Sequence, residues 1–293
     1  MSERIRIFKG HGLGNDYLAM GGEELGGIDP GRAARILCDR HRGIGSDGLL
    51  LQVPSEQADV GLRIINPDGT EAEKSGNGLR IFAVFLLRSG WCDERARFTV
   101  ETPGGTVRMT LEGEHPAGGF AVRVEMGRVT FGPSAAGVTD GGTGDDDLIV
   151  QVDPGIEVLG TPLSVGNPHF VVFRNELDVE ELRTIGPKLS THPRFSAGVN
   201  VQLARILSEH EVEALVWERG AGETEASGSS ACAVAAAAVR AGFVRSGSVR
   251  VRMRGGTLEV EVADDWSLTL GGPAEDIAWL HPAPSLLRHL REA

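Results

Sequence analysis

Two patterns of apolar and polar residues alternate along the chain, and each occurs twice. In RFTVETPGGTVRMTLEG from Arg97, and in SVRVRMRGGTLEVEVADD from Ser248, apolar and polar residues alternate around a Gly-Gly pair. A period of two with a glycine turn predicts a β-hairpin, here turning near Gly104-Gly105 and near Gly255-Gly256. Each hairpin follows a segment apolar on several faces, Gly78 to Arg88 and Ser229 to Ala241, and each segment is closed by a glycine, Gly90 and Gly242. These read as buried helices with glycine C-terminal caps. AVAAAAV in the second is a strong helix former. Strand-like runs such as RIRIF from Arg4 and GLRIINP from Gly61 precede them.

The two patterns belong to an internal repeat. With Ser75 placed on Ser227, Glu71 falls on Glu223, Gly76 on Gly228 and Gly90 on Gly242, at a constant offset of 152. PGGTVRMTL from Pro103 matches RGGTLEVEV from Arg254 at 151, and HGLGNDY from His11 has a looser partner in VGNPHF from Val165. A duplicated fold explains order and spacing conserved over this stretch. The simplest packing of each half is a buried helix surrounded by hairpins. The expected fold is α+β, with two pseudo-symmetric domains, each a central helix surrounded by antiparallel strands. The expected domains are residues 1–130, joined by 274–293, and residues 131–273; the expected join is the polar, glycine-rich segment Ala135 to Asp147.

Composition narrows the class. The chain has 293 residues, 41% hydrophobic and 24% charged, as in a globular protein of two ordinary domains. A net charge of -12 argues against a nucleic-acid or anionic-membrane partner. No apolar stretch is long enough to span a bilayer, and MSERIRIFKG does not read as a signal peptide. The three cysteines, Cys38, Cys92 and Cys232, have no metal-ligand spacing. Reduced thiols and a cytoplasmic location are expected. No cofactor is expected: of Lys9, Lys74 and Lys188, none sits in a recognisable pyridoxal-phosphate context. No metal is expected either, because His11, His41, His169 and His192 show no ligand spacing.

The repeat also suggests chemistry. Ser75-Gly76-Asn77-Gly78 and Ser227-Gly228-Ser229-Ser230 each open a helix. A helix N-terminus favours an anion. Two such loops facing each other across a pseudo-twofold axis would hold one carboxylate between two serines. One group would then remove an α-proton and the other return a proton from the opposite face. A serine before a helix is ordinarily just an N-cap worth ~1 kcal/mol; here the Ser-Gly pair recurs at the same register.

HGLGNDY, NPDGTEAEKSGNG, VGNPHF, GVN and ERGAGETEASGSSACA resemble, in order, the motifs of the diaminopimelate epimerase family. The resemblance covers nearly the whole chain and implies two α+β domains, each a β-barrel-like antiparallel sheet wrapped around a central helix. It implies a pyridoxal-independent epimerase acting on LL- and meso-diaminopimelate in lysine and cell-wall precursor synthesis, commonly a homodimer, with a small amino acid as its partner. It implies that Ser75 and Ser227 stand at the two catalytic positions, and that Gly76, Asn77, Gly228 and Ser229 cradle the α-carboxylate. Asn15, Asn66, Asn167, Asn200, Glu218 and Arg219 would line the pocket, and His169 and Glu218 would tune the catalytic pair. Without the resemblance, Asn66 and Asn200 read as turn residues, His169 as a structural histidine and Arg219 as a solvated charge.

The family carries cysteine at both catalytic positions; this chain carries serine. A thiol has a reference pKa of ~8.5 and an alcohol is far less acidic, so two-thiol chemistry cannot operate. Three explanations fit: a natural member using His169 or Glu218 and water, or another substrate; a double cysteine-to-serine variant; or a homologue that binds without turnover. Lys74, Leu79, Ile81 and Ser230 also depart from the family pattern, which favours a natural sequence. A divergent isomerase, racemase or dehydratase acting on another acid remains the alternative function. Cys232 reads as a small core residue of the second helix.

Overall fold

The computed structural model describes residues 5–116, 118–138 and 147–292. The chain forms two compact units, Met1–Val124 with Gly272–Ala293, and Glu125–Gly271.

Unit 1 is built from β1 (Ile7–Gly12), β2 (Asn15–Gly21), β3 (Leu49–Val53), β4 (Val60–Ile65), the short β5 (Glu71–Ala72), β6 (Arg97–Thr102), β7 (Gly105–Glu114) and the first part of β8 (Phe120–Arg128). Unit 2 runs from the rest of β8 through β9 (Thr130–Phe131), β10 (Leu148–Asp153), β11 (Ile156–Ser164), β12 (Pro168–Phe173), β13 (Asn200–Ser208), β14 (Glu211–Glu218), β15 (Gly222–Thr224), β16 (Gly247–Met253) and β17 (Gly256–Val262) into β18 (Ser267–Leu280). The helices are α1 (Pro30–Leu37), α2 (Gly76–Arg88), α3 (Val179–Ser190), α4 (Gly228–Arg240) and α5 (Pro284–Arg291).

In unit 1, pairing runs β1, β2, β3, β4, β6, β7, β8, then β18 and back to β1, closing a ring. Unit 2 repeats the circuit: β9, β11, β12, β13, β14, β16, β17, then β18. Its ring closes where β18 returns to the β8–β9 segment and Val129 N–H donates to Trp266 O at 3.0 Å. Two steps in each ring are parallel, β2–β3 and β4–β6 in unit 1, β12–β13 and β14–β16 in unit 2. The rings are therefore mixed rather than purely antiparallel. A parallel step needs a crossover, and α1, α2, α3 and α4 supply the four crossovers.

Burial explains why the strands read differently in the sequence. β2 and β12 are buried along their centres on both faces, and their sequences are apolar without alternation. Their inner faces meet the central helix; their outer faces lie under α1 in unit 1 and α3 in unit 2. In unit 1, Leu18, Met20, Leu49 and Leu51 join Ala33, Ala34 and Leu37 of α1 and Leu290 of α5. In unit 2, Phe170, Val172, Val201 and Leu203 join Leu182, Ile185 and Leu189 of α3. The hairpin strands alternate between buried and more exposed positions because one face meets solvent. Their turns fall where expected, with Thr102 opposite Gly105 and Met253 opposite Gly256.

The central helices are as apolar in place as in sequence. α2 is buried from Gly76 to Leu86, and α4 from Ser230 to Ala238, including Cys232. α4 touches β11, β12, β13, β14, β16 and β17. Both helices begin slightly earlier than the sequence pattern suggested, because Ser75 and Ser227 themselves are the N-caps. The expected join is displaced. The chain leaves unit 1 inside β8, and Ala135–Val138 are already packed in unit 2; residues 139–146 of that segment lie outside the described residues. No described helix is long and apolar enough to cross a membrane.

Gly90 and Gly242 follow the central helices with φ of 78° and 71°, and a Cβ at either would meet nothing within 4 Å. Gly242→Ala should therefore lower stability only by the left-handed backbone cost, about 1–2 kcal/mol. A Cβ at Gly160, by contrast, would lie 2.7 Å from Phe170 Cζ and 2.9 Å from Val171 O. Gly160→Ala should cost more, because packing must shift. Urea denaturation of the two variants checks the order; a Gly242→Ala loss equal to that of Gly160→Ala contradicts it.

Candidate active site

In unit 1 the candidate residues gather at the start of α2. Ser75 has extended backbone, φ -139° and ψ 118°, and its Oγ accepts from Gly78 N–H at 3.0 Å. Tyr17 Oη lies 3.4 Å from the same oxygen. Asn77, on the first helical turn, donates through Nδ2 to Asn15 Oδ1 at 3.1 Å. Asn15 in turn donates to Asp47 Oδ2 at 2.7 Å, and Arg40 holds both Asp47 and Asp16 at 2.7 Å. Burial opposes ionisation of Asp16, but Arg40 and Lys9 outweigh it and hold the carboxyl below its usual pKa. From the helix side, fully buried Arg80 donates to Asn77 Oδ1 at 2.9 Å and to Pro273 O at 3.3 Å. Asn77 is thus oriented from both ends, with its amide nitrogen directed to Asn15 and its oxygen to a cation.

Asn66 stands apart from this group. It closes the turn after β4, with Nδ2 donating to Thr70 Oγ1 at 2.9 Å and its backbone N–H to Thr70 O at 2.8 Å.

Unit 2 repeats the arrangement with other side chains. Ser227, φ -143° and ψ 126°, caps α4, and its Oγ accepts from Ser230 N–H at 3.4 Å. Asn167 donates to Ser229 Oγ at 3.5 Å, at the register of Asn15 with Asn77. His169, fully buried, has Nε2 2.9 Å from Asn167 Oδ1 and Nδ1 3.0 Å from Gln202 Nε2. An amide nitrogen can only donate, so Nδ1 accepts and the ring proton sits on Nε2, donated to Asn167. Gln202 also donates to Ser230 Oγ at 3.0 Å, tying the imidazole to the first turn of α4. Asn200 opens β13 opposite His169, donates to Pro168 O at 3.0 Å and accepts from Arg219 N–H at 2.9 Å. It therefore pins the ends of β12 and β14 together, and β14 ends on Glu218. The Arg219 side chain is largely exposed and donates to Ala197 O at 2.7 Å.

Desolvation pushes the His169 pKa down to about 3, and the positive charge of Arg219 adds to it. His169 is therefore neutral near neutral pH. Tyr17, Arg80, Asp47 and Gln202 were not singled out from the sequence. The readable signal for Arg80 and Gln202 was a polar residue inside an apolar run, GLRIF and NVQLA.

Two barrels of one topology, each enclosing a helix whose serine-capped N-terminus lies beside amide side chains, define a duplicated α+β fold. The diaminopimelate epimerase family profile matches residues 7–132 and 161–275. The chain is 40% identical over 289 residues to a diaminopimelate epimerase of Desulforudis audaxviator, covering 93% of this chain and 97% of that one. It is 39% identical over 271 residues to diaminopimelate epimerase 2 of a Nostoc species, covering 91% of each. The structure of a probable proline racemase from Agrobacterium radiobacter matches with a TM-score of 0.69 at 18% identity, over 96% of this chain and 93% of that one, a likeness of fold. The chain belongs to the diaminopimelate epimerase family.

The neutral imidazole has a consequence for stability. The folded pKa of about 3 lies below the ordinary imidazole value of 6.5, so between these values the unfolded chain binds the extra proton. Stability is fully present above about pH 6.5 and falls as pH drops through that window, by up to ~1.4 kcal/mol per unit. Between about pH 6 and 5, above most carboxylate titrations, the urea midpoint should fall less steeply for His169→Gln than for the parent. Equal slopes would refute a buried neutral His169.

Proposed function

We propose that this chain inverts the α-carbon of diaminopimelate without pyridoxal, with Ser75 and Ser227 handling the proton on opposite faces. The observation that carries this reading is the matched pair of caps, two serines of the same backbone conformation on two buried helices, each beside an asparagine at the same register. Helix N-termini favour the substrate carboxylate and the negative charge that spreads into it as the α-proton leaves. Gly76, Asn77, Gly228 and Ser229 form those first turns and cradle that carboxylate. Asn15, Asn167, Asn200, Glu218 and Arg219 read the distal amino and carboxyl groups; Asn66, whose side chain bonds to Thr70 within its turn, is left out of that set. His169, neutral and donating to Asn167, positions that amide in unit 2, and Glu218 supplies a carboxylate at the end of β14.

The protein works in the cytoplasm as a homodimer, on the route to lysine and cell-wall precursors. Family membership supports the homodimer; among the described residues Cys38, Cys92 and Cys232 form no disulfide, which fits a reducing compartment.

The test is α-proton exchange of LL- and meso-diaminopimelate in deuterated water, followed by NMR. The parent should incorporate deuterium above a heat-killed control, and Ser75→Cys/Ser227→Cys should exchange faster, because a thiolate is far more accessible than an alkoxide. Exchange confined to the cysteine variant would leave a diaminopimelate-binding homologue without turnover. Silence from both would discard the substrate.

A further inference from the structure

We propose that Tyr17 is the proton-relay partner of Ser75, so that the unit 1 side of the reaction runs through a phenol–alcohol pair rather than a lone alcohol. This rests on Ser75 being one of the two proton-handling groups proposed above. Tyr17 is the chain's single tyrosine. It is 7% exposed, and its hydroxyl lies 3.4 Å from Ser75 Oγ. A formed O–H···O bond is shorter, ~2.7–2.8 Å, but catalytic contacts are often long in unliganded enzymes and tighten when substrate binds. The backbone leaves room for the ring: a Cβ on Gly48 would fall 2.6 Å from Tyr17 Cε1.

Register adds an independent argument. Tyr17 and His169 are separated by the same 152 positions as Ser75 and Ser227, and each follows its asparagine, Asn15 or Asn167, by two residues. Each half thus carries one ionisable ring at one point of the same strand, β2 or β12. In unit 2 the ring is locked between Asn167 and Gln202. In unit 1 the ring reaches the capping serine itself.

The step moves protons only. As Ser75 Oγ takes the α-proton, its own hydroxyl proton passes to the Tyr17 phenolate, and the electron pair of the C–H bond stays on the substrate. In the reverse direction the phenol returns a proton to Oγ as Oγ protonates the carbon. A phenol with a reference pKa of ~10 ionises far more readily than an alcohol. Charged groups on the elements around Tyr17 are Lys9, His11, Asp16, Asp47, Arg63, Glu71, Lys74 and Arg80. Lys9 and Asp16 pair, Arg40 bridges Asp16 and Asp47, Arg63 pairs with Glu71, and His11 faces Glu275. Arg80, buried in the first turns of α2, favours an anion at this end of the helix.

Tyr17→Phe keeps the ring and removes the hydroxyl. For the isomer whose proton Ser75 takes, kcat should fall ~10²–10³-fold with KM within about twofold. The rise of kcat/KM with pH toward about 10 should disappear. Adding Tyr17→Phe to Ser75→Ala should cost nothing more. A single tyrosine also allows a readout without turnover, the ultraviolet titration of tyrosinate. Ser75→Ala removes a possible donor to the phenolate, so the Tyr17 midpoint should move up. A Tyr17→Phe enzyme with parental kcat and pH profile, or a tyrosinate midpoint unmoved by Ser75→Ala, overturns the relay. Parental activity in Ser75→Ala is a different result, and it overturns the reading of Ser75 beneath it.

Discussion

A helix enclosed by a closed ring of strands cannot rely on bulk water to satisfy its first N–H groups, and the rest of this structure follows from how that need is met. Unsatisfied buried donors cost about 1–3 kcal/mol each, so the start of α2 and of α4 must be capped from within. Ser75 and Ser227 do this at Gly78 and Ser230. At the same polar first turns Asn15 meets Asn77 and Asn167 meets Ser229. On the function proposed above, the polar residues that stabilise each helix start are also the ones that would meet the substrate carboxylate, so stability and site would share one set of atoms.

The two halves repeat in backbone but not in electrostatics. At one register position α2 carries buried Arg80 and α4 carries buried Cys232. At another, β2 carries Tyr17 and β12 carries His169. Unit 1 thus has a cation and a phenol behind its cap. Unit 2 has a neutral imidazole wired to α4 through Gln202, and a thiol packed in the core. Duplication accounts for the matched backbone of the two caps, and divergence at these buried positions gives each cap its own electrostatic surroundings.

Much of this was legible in the sequence, for physical reasons. The constant offset located both caps, because a helix start in a repeat is a fixed point of register. Alternation located the hairpins, because one face of each meets solvent. What could not be read was what depends on closure. The return of β18 to β1 and to the β8–β9 segment joins residues far apart in sequence, and no local pattern encodes it. The join was expected in a glycine-rich stretch, whereas the chain passes between units inside the regular strand β8, where composition does not change. Asn66 was assigned to the pocket by resemblance and to a turn by its residue type; in the structure its side chain bonds within the turn, to Thr70. The roles of Tyr17 and Gln202 depend on distances across the barrel interior, which spacing along one strand does not report.

Serine at the caps has opposite consequences for folding and for chemistry. A hydroxyl oxygen is a good acceptor for a helix N–H, and serine is among the preferred N-caps, worth about 1 kcal/mol over residues that cannot cap. Thiol sulfur is a weak acceptor, so a cysteine in the place of Ser75 would hold Gly78 less well. The same exchange would place a far more acidic group at the end of a helix dipole, which favours its anion further. A chain with serine at both positions has therefore moved toward the stable side of this opposition, and activity in such a chain needs acidity from elsewhere. In unit 1 the nearest source in contact with the cap is a phenol. In unit 2 the imidazole is already neutral, so its lone pair is not lost to protonation near neutral pH, yet that nitrogen is taken up by Gln202. If the two serines handle the proton as proposed, base strength depends on what lies behind each of them rather than on the serines alone.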